Sequence, residues 1–211
     1  MPADRRQARF GRIGWSRRPE KDWKNNGYRK AGIMAETFKR LNRELMYHGV
    51  IVDFYKDTVQ VPNGNVVEWD FIGHKGAAAV VPVRKDGKLL MVRQYRNALD
   101  RETLEIPAGG LNGAEPTMDA AARELEEETG YRSGDLELLI TLRTTVAFCN
   151  EKIDIYVARN LKKGEQHLDE DEFIHVEAYT VEELCTMILE GKIEDSKTIA
   201  AVMSYRAKYC G

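Results

Sequence analysis

Apolar and polar positions follow different rhythms along the chain, and each rhythm predicts a different element. From Leu45 to Lys56 the alternation through Val50, Val52 and Phe54 has the two-residue period of a strand. Thr58–Val61 and Asn65–Ile72 flank Pro62-Asn63-Gly64, and Asn-Gly between apolar runs predicts a hairpin. Ala77–Val83 is apolar without interruption, the pattern of a strand covered on both faces. After the Asp86-Gly87 turn, Lys88–Tyr95 is a further strand, ending in the basic segment Arg93-Gln94-Tyr95-Arg96. A short strand, Thr103–Ile106, stops at Pro107-Ala108-Gly109-Gly110. Residues 117–129 are rich in Ala, Leu, Arg and Glu and predict a helix, with Gly130 placed to end it. Strands follow at Leu136–Thr144 and Ile153–Ala158, then a polar loop from Lys162 to Glu172 that ends acidic. Phe173–Tyr179 returns to strand, and helices at Val181–Glu190 and Ser196–Lys208 close the chain. Strands mixed with a few helices around one sheet predict a layered α/β or α+β domain.

Composition adds limits. The 211 residues suffice for one domain with a sizeable core, or one domain and a small appendage. No apolar run approaches the roughly 20 residues of a membrane-spanning helix. The three cysteines, Cys149, Cys185 and Cys210, have no paired spacing, so neither a disulfide framework nor a zinc site is implied and a reducing cytoplasm is expected. The net charge of −2 conceals an asymmetry: residues 1–34 hold ten Lys or Arg against three acids, whereas the remainder carries a net −9. The basic head, with Trp15 and Trp23, reads as a disordered leader, or else as a nucleic-acid arm, and Met34 is an alternative start. The acidic body argues against non-specific DNA binding by the whole chain.

Chemistry concentrates on the predicted helix at 117–129. Glu124, Glu127 and Glu128 stand at i, i+3 and i+4, so their carboxylates share one face. Like charges at those spacings repel by roughly 0.2–0.5 kcal/mol per pair, a cost that a bound cation reverses. Hard divalent ions prefer such oxygens, and Mg²⁺ keeps waters that substrate phosphates can replace. Three glutamates alone would be read as a solvated helix surface; their surroundings change that. Gly109 is followed after five residues by Glu115, and after seven more by Arg123-Glu124-Leu125, Glu126, Glu127-Glu128, Thr129, Gly130 and Tyr131.

This loop–helix–loop resembles the Nudix box, Gly-x5-Glu-x7-Arg-Glu-U-x-Glu-Glu-x-Gly-U with U bulky and apolar, and every fixed position matches. Chance agreement is on the order of one in a million per chain, given residue frequencies of a few per cent. The resemblance implies a Nudix-type α/β/α sandwich with a mixed sheet and an N-terminal antiparallel β-hairpin region. It divides the chain into a basic leader at 1–40, an N-terminal β region at 41–74 and a catalytic domain at 75–211. Metal binding is implied for Glu124 and Glu128, with Glu127 contributing directly or through water and the Ala108 carbonyl as a further oxygen. Arg123 is expected to pair with Glu115 and fix where the glutamates point. Leu125 and Ala121 are expected in the core. The implied cofactor is Mg²⁺, with Mn²⁺ as the other candidate.

From about Leu41 to Tyr209 the chain is similar to ADP-ribose and sugar-nucleotide pyrophosphatases. The matching parts are His74–Ala77, the Val-Arg-Gln-Tyr-Arg strand and Leu104–Gly110. Within the acidic segment Asp169-Glu170-Asp171-Glu172, the resemblance assigns Glu170 as general base and Glu172 as a further metal ligand. It puts Arg96 on the diphosphate or terminal ribose, Glu105 near substrate or metal, and Glu151 in a loop above the site. Arg93 is either a substrate contact or a surface charge. Trp69 either stacks on the base or packs at a dimer interface. An intertwined homodimer is implied, as is a nucleoside diphosphate-sugar substrate. The implied reaction is hydrolysis of ADP-ribose to AMP and ribose 5-phosphate. Alternatives are another nucleotide sugar such as GDP-mannose, or a non-catalytic nucleotide-binding regulator. One departure stands out: where such enzymes commonly carry Ser-Pro-Gly, this chain has Thr145-Val146-Ala147-Phe148.

Overall fold

Ala77–Pro82 is buried at every position, and the reason lies in what covers its two faces. Ala77, Ala79 and Val81 point into one apolar cluster, with Leu89, Met91, Leu104 and residues of the last two helices. Ala78 and Val80 point into a second cluster, with Ala120, Ala121 and Leu125 of the helix that carries the glutamates. A strand alternates faces every residue, so the uninterrupted apolar run lets one strand serve both cores. Burying each Val or Leu there contributes about 1.5–3 kcal/mol.

The computed structural model describes residues 37–168, 170 and 172–210. The expectations for the basic leader up to residue 36, and for Asp169 and Asp171, lie outside the described residues. In chain order the elements are β1 (Lys39–His48), β2 (Asp53–Gln60), β3 (Val66–Gly73), β4 (Ala77–Pro82), β5 (Leu89–Arg96), β6 (Arg101–Glu105) and β7 (Ala108–Gly110). They continue as α1 (Thr117–Thr129), β8 (Tyr131–Arg132), β9 (Asp135–Arg143), β10 (Lys152–Arg159), β11 (Lys162–Lys163), β12 (His175–Tyr179), α2 (Val181–Leu189) and α3 (Ser196–Tyr209). The central sheet has the order β7-β4-β10-β9, with β4 and β10 parallel and its other pairs antiparallel. A second, antiparallel sheet has the order β12-β5-β6. The layers match the expected sandwich: α1 on one side of the mixed sheet, the second sheet with α2 and α3 on the other. Among the described residues no helix is long and apolar enough to cross a membrane.

One strand expectation needs correction. Leu45–Lys56 is not one strand: the chain turns at Gly49–Val52, so β1, β2 and β3 form a three-stranded antiparallel sheet. The Gly49 N–H donates to the Val52 carbonyl at 3.0 Å. A Cβ at Gly49 would lie 2.5 Å from that same oxygen, so the turn depends on glycine, while the apolar alternation runs through it unbroken. The predicted Pro62-Asn63-Gly64 connection does join β2 to β3, with Gly64 at φ +89°.

Candidate active site

The site begins where β7 meets α1. The α1 helix starts after Pro116 without a side-chain cap, and Gly130 ends it in the left-handed conformation at φ 70°. Its inner face buries Ala120, Ala121 and Leu125. That packing fixes the rotation of the helix and turns Glu124 and Glu128 inward as well, so two carboxylates are buried beside an apolar core.

Each carboxylate is held by a specific neighbour. Arg123 Nη1 donates to Glu124 Oε1 at 2.7 Å and to Glu127 Oε2 at 2.8 Å. Its Nη2 donates to Glu115 Oε1 at 2.9 Å and to the Gly110 carbonyl at 3.1 Å. One guanidinium thus ties three acids to the glycine loop, a geometry that needs arginine's planar fork. Burial alone would lower the Arg123 pKa; Glu115, Glu127 and Glu124 outweigh it and raise it. Glu128 Oε2 accepts the Ala108 N–H at 3.0 Å, which ties the far end of α1 to β7. The Glu124 carboxylate occupies the space a Cβ at Gly109 would take, with Oε1 at 2.0 Å, so any other residue there would displace it.

The electrostatics are unbalanced in one direction. Glu128 is only 3% exposed. Burial first, then the charges of Glu124 and Glu172, push its pKa up to about 8 against the Ala108 N–H and Arg96. The Glu124 pKa is raised too, by burial and by Glu127 and Glu172, against Arg123. Glu172 therefore acts on both buried carboxylates through its charge, and Glu170 beside it is exposed. Among the described residues no three His, Cys, Asp or Glu side chains stand already converged on one point. The donor set nevertheless fits a hard divalent cation: buried carboxylates that raise one another's pKa are relieved by positive charge, not by burial.

A second cluster adjoins the first. Arg96 donates from Nε to Glu105 Oε1 at 2.8 Å and from Nη2 to Glu105 Oε2 at 2.6 Å. Charge interactions with Glu128 and Asp195 also act on Arg96. Thr103 Oγ1 donates to Glu105 Oε1 at 2.5 Å, and Lys197 Nζ reaches Glu105 Oε2. Burial raises the Glu105 pKa, but Arg96 and Lys197 together outweigh it and bring the value down to about 2.

The remaining candidates lie further out. Glu151 accepts from Thr144 Oγ1 at 2.6 Å and stands 3.6 Å from His74 Nε2. Arg93 is engaged by Glu177 on β12, Nε to Oε1 at 2.5 Å. Trp69 is half-exposed on β3, its ring 6.0 Å from that of Phe38. With Phe54, Asp70, Ile72, Ala147 and Phe148 it lines a cavity of about 530 Å³. Ala147 and Phe148 of the Thr145–Phe148 segment are held beside β3 by the Ile72 N–H, which donates to the Phe148 carbonyl at 2.7 Å. Among the described residues neither Trp69 nor Arg93 shares a hydrogen bond or ion pair with the glutamate cluster.

Sequence reasoning missed Lys197, Asp195 and Thr103. Only one signal pointed to them: a lysine in the first turn of α3 opposes the helix dipole and therefore calls for a partner.

A family model described as NUDIX domain matches residues 73–202. The chain is 36% identical to the ADP-ribose pyrophosphatase of Bacillus subtilis, over 81% of this chain and 93% of that protein. It is 34% identical to the ADP-ribose pyrophosphatase of Mycobacterium tuberculosis, over 84% and 88%. A Bacillus methanolicus protein named methanol dehydrogenase activator is 41% identical, over 78% and 90%. Among solved structures, a crystal structure of an ADP compounds hydrolase superposes with a TM-score of 0.72 at 21% identity, covering 81% of this chain and 92% of that one, a likeness of fold.

Proposed function

The chain belongs to the NUDIX domain family and is one of its pyrophosphohydrolases, and from that premise we propose that it hydrolyses the diphosphate bond of ADP-ribose to AMP and ribose 5-phosphate. The observation that carries the reading is the carboxylate cluster of α1: Arg123 ties Glu124 and Glu127, with Glu115, to the glycine loop, and the Ala108 N–H holds Glu128. Sequence relatives named as ADP-ribose pyrophosphatases supply the substrate.

A divalent cation, Mg²⁺ in this reading, would be held by Glu124, Glu128, Glu172 and the Ala108 carbonyl, and would there supply charge neutralisation for the diphosphate and a lower pKa for the attacking water. Glu170 takes that water's proton as general base. Arg123 keeps Glu115, Glu124 and Glu127 in their orientations, and Glu127 contributes directly or through water. Arg96 meets the diphosphate, and Glu105 sets the plane of its guanidinium. Glu151 lies in the loop above the site. Trp69 stacks on the adenine, worth about 1–3 kcal/mol for an exposed indole face. Arg93 pairs with Glu177, which supports, of the two roles the sequence left open, that of a surface charge.

We further read the active form as a homodimer in a reducing cytoplasm. Phe38, Leu41, Leu45 and Tyr47 are exposed on and beside β1, an edge strand that a second copy would cover. All three cysteines are free. A regulatory reading is kept in view by the relative named as an activator. The deciding experiment is a hydrolysis panel with Mg²⁺ on ADP-ribose, GDP-mannose, ADP-glucose and NADH. Preference for ADP-ribose supports the proposal. Preference for another sugar overturns the substrate and directs attention to Thr145–Phe148; a flat panel favours the regulator.

A further inference from the structure

Glu105 carries four donated hydrogen bonds on two oxygens while only 2% exposed. Two come from Arg96 and one from Thr103, its neighbour across one strand step. The fourth comes from Lys197, which lies 92 positions further along the chain. Lys197 is itself buried, and its other partner is Asp195, at 3.0 Å. Asp195 is the N-cap of α3; its Oδ2 also accepts the Thr198 N–H at 2.9 Å and the Thr198 hydroxyl at 2.6 Å. Asp195 is thus shared between the helix end and Lys197.

The charges have a consequence for Arg96. Alone, Arg96 and Glu105 form a neutral pair with little pull on an anion. With Lys197 and its partner Asp195 the four groups are neutral, and without the Lys197 ammonium they would carry a net −1, in surroundings where charge is poorly screened. Because Glu105 occupies Nε and Nη2, the Arg96 Nη1 group makes no hydrogen bond among the described residues. Arg96, Thr103, Glu105, Glu194, Asp195 and Lys197 form the polar lining of a cavity of about 530 Å³ there.

We propose that Lys197 is a positioning residue for substrate binding: by neutralising Glu105 from behind, it leaves the Arg96 guanidinium oriented and charged toward the diphosphate. This rests on the reading that Arg96 meets the diphosphate. A merely structural lysine would hold α3 to β6 and do no more.

The test compares Lys197→Met and Lys197→Gln with Val202→Ala, which weakens the buried side of α3 without changing charge. Binding of ADP to the full chain is measured calorimetrically in chelator, beside melting temperature and steady-state kinetics on ADP-ribose. Both Lys197 variants are expected to bind ADP about tenfold more weakly. KM for ADP-ribose should rise by a similar factor with kcat changed by less than about threefold. Val202→Ala should melt earlier yet bind ADP as the wild type does. Should Lys197→Met fail to fold, Lys197→Gln, which can still hydrogen-bond Glu105, carries the comparison. Wild-type affinity in the Lys197 variants overturns the inference, as does an equal loss in Val202→Ala or no ADP binding by the wild type. Absent wild-type turnover of ADP-ribose overturns the proposed function instead, and the ADP comparison still decides the role of Lys197.

Discussion

Glu128→Gln should stabilise the metal-free protein while destroying its activity. Folding brings the Glu128 pKa from 4.5 to about 8, through burial first and the charges of Glu124 and Glu172 next. A carboxyl whose folded pKa is raised contributes fully to stability below its unfolded pKa, and that contribution is lost as pH rises through the folded value. At 1.36 kcal/mol per pH unit, the penalty relative to a non-titrating side chain is about 3 kcal/mol at pH 7 and approaches about 5 kcal/mol at pH 9. Glutamine has nearly the same shape and keeps an oxygen for the Ala108 N–H, so it removes the penalty with little else. Urea unfolding in chelator from pH 5 to 9 reads the difference directly. The variant should match the wild type near pH 5 and exceed it increasingly at higher pH. Adding the divalent cation should reverse the order, because binding to the native state stabilises only the chain that retains the carboxylate. A variant no more stable than the wild type at pH 9 in chelator would refute the claim that Glu128 is an unrelieved buried charge.

Glu105 predicts the opposite pH dependence. Its folded pKa is lowered from 4.5 to about 2, so its contribution of about 3 kcal/mol is present above pH 4.5 and lost toward pH 2. Glu105→Gln should be less stable by about that much at pH 7, with the gap closing below pH 4.5; a gap constant with pH would contradict the reasoning. Gly109→Ala should reduce metal-dependent activity about 10- to 100-fold, since its Cβ meets Glu124 Oε1 at 2.0 Å. Gly110→Ala, whose Cβ meets nothing within 4 Å, should lose far less in the same assay, and equal losses would sink the steric argument.

What was legible in the sequence is what local spacing determines. The helical period put Glu124, Glu127 and Glu128 on one face, with Ala121 and Leu125 in the core; the structure buries Glu124 and Glu128 beside those two and leaves Glu127 partly exposed. The unbroken apolar run of Ala77–Val83 announced a strand covered twice, and Arg123 pairs with Glu115, eight positions earlier, as expected from the box resemblance. The turn at Gly49 was illegible because the backbone changes direction while the apolar alternation continues. The Lys197–Glu105 pair was illegible for another reason: only the packing of α3 against β6 brings together residues 92 positions apart. A sequence pattern named Arg96 and Glu105 separately, whereas their shared hydrogen bonds, and the claim each makes on the other's charge, exist only in three dimensions.

On the proposed function, the buried carboxylates of α1 organise divalent-metal-dependent cleavage of a diphosphate bridge. ADP-ribose incubated with the purified chain and Mg²⁺, with products separated and counted and with Glu127→Gln and chelator as blanks, decides it. AMP and ribose 5-phosphate are expected in equal amounts, abolished by chelator and strongly reduced in the variant. Turnover that survives chelator and the variant unchanged, or no turnover at all, would contradict it.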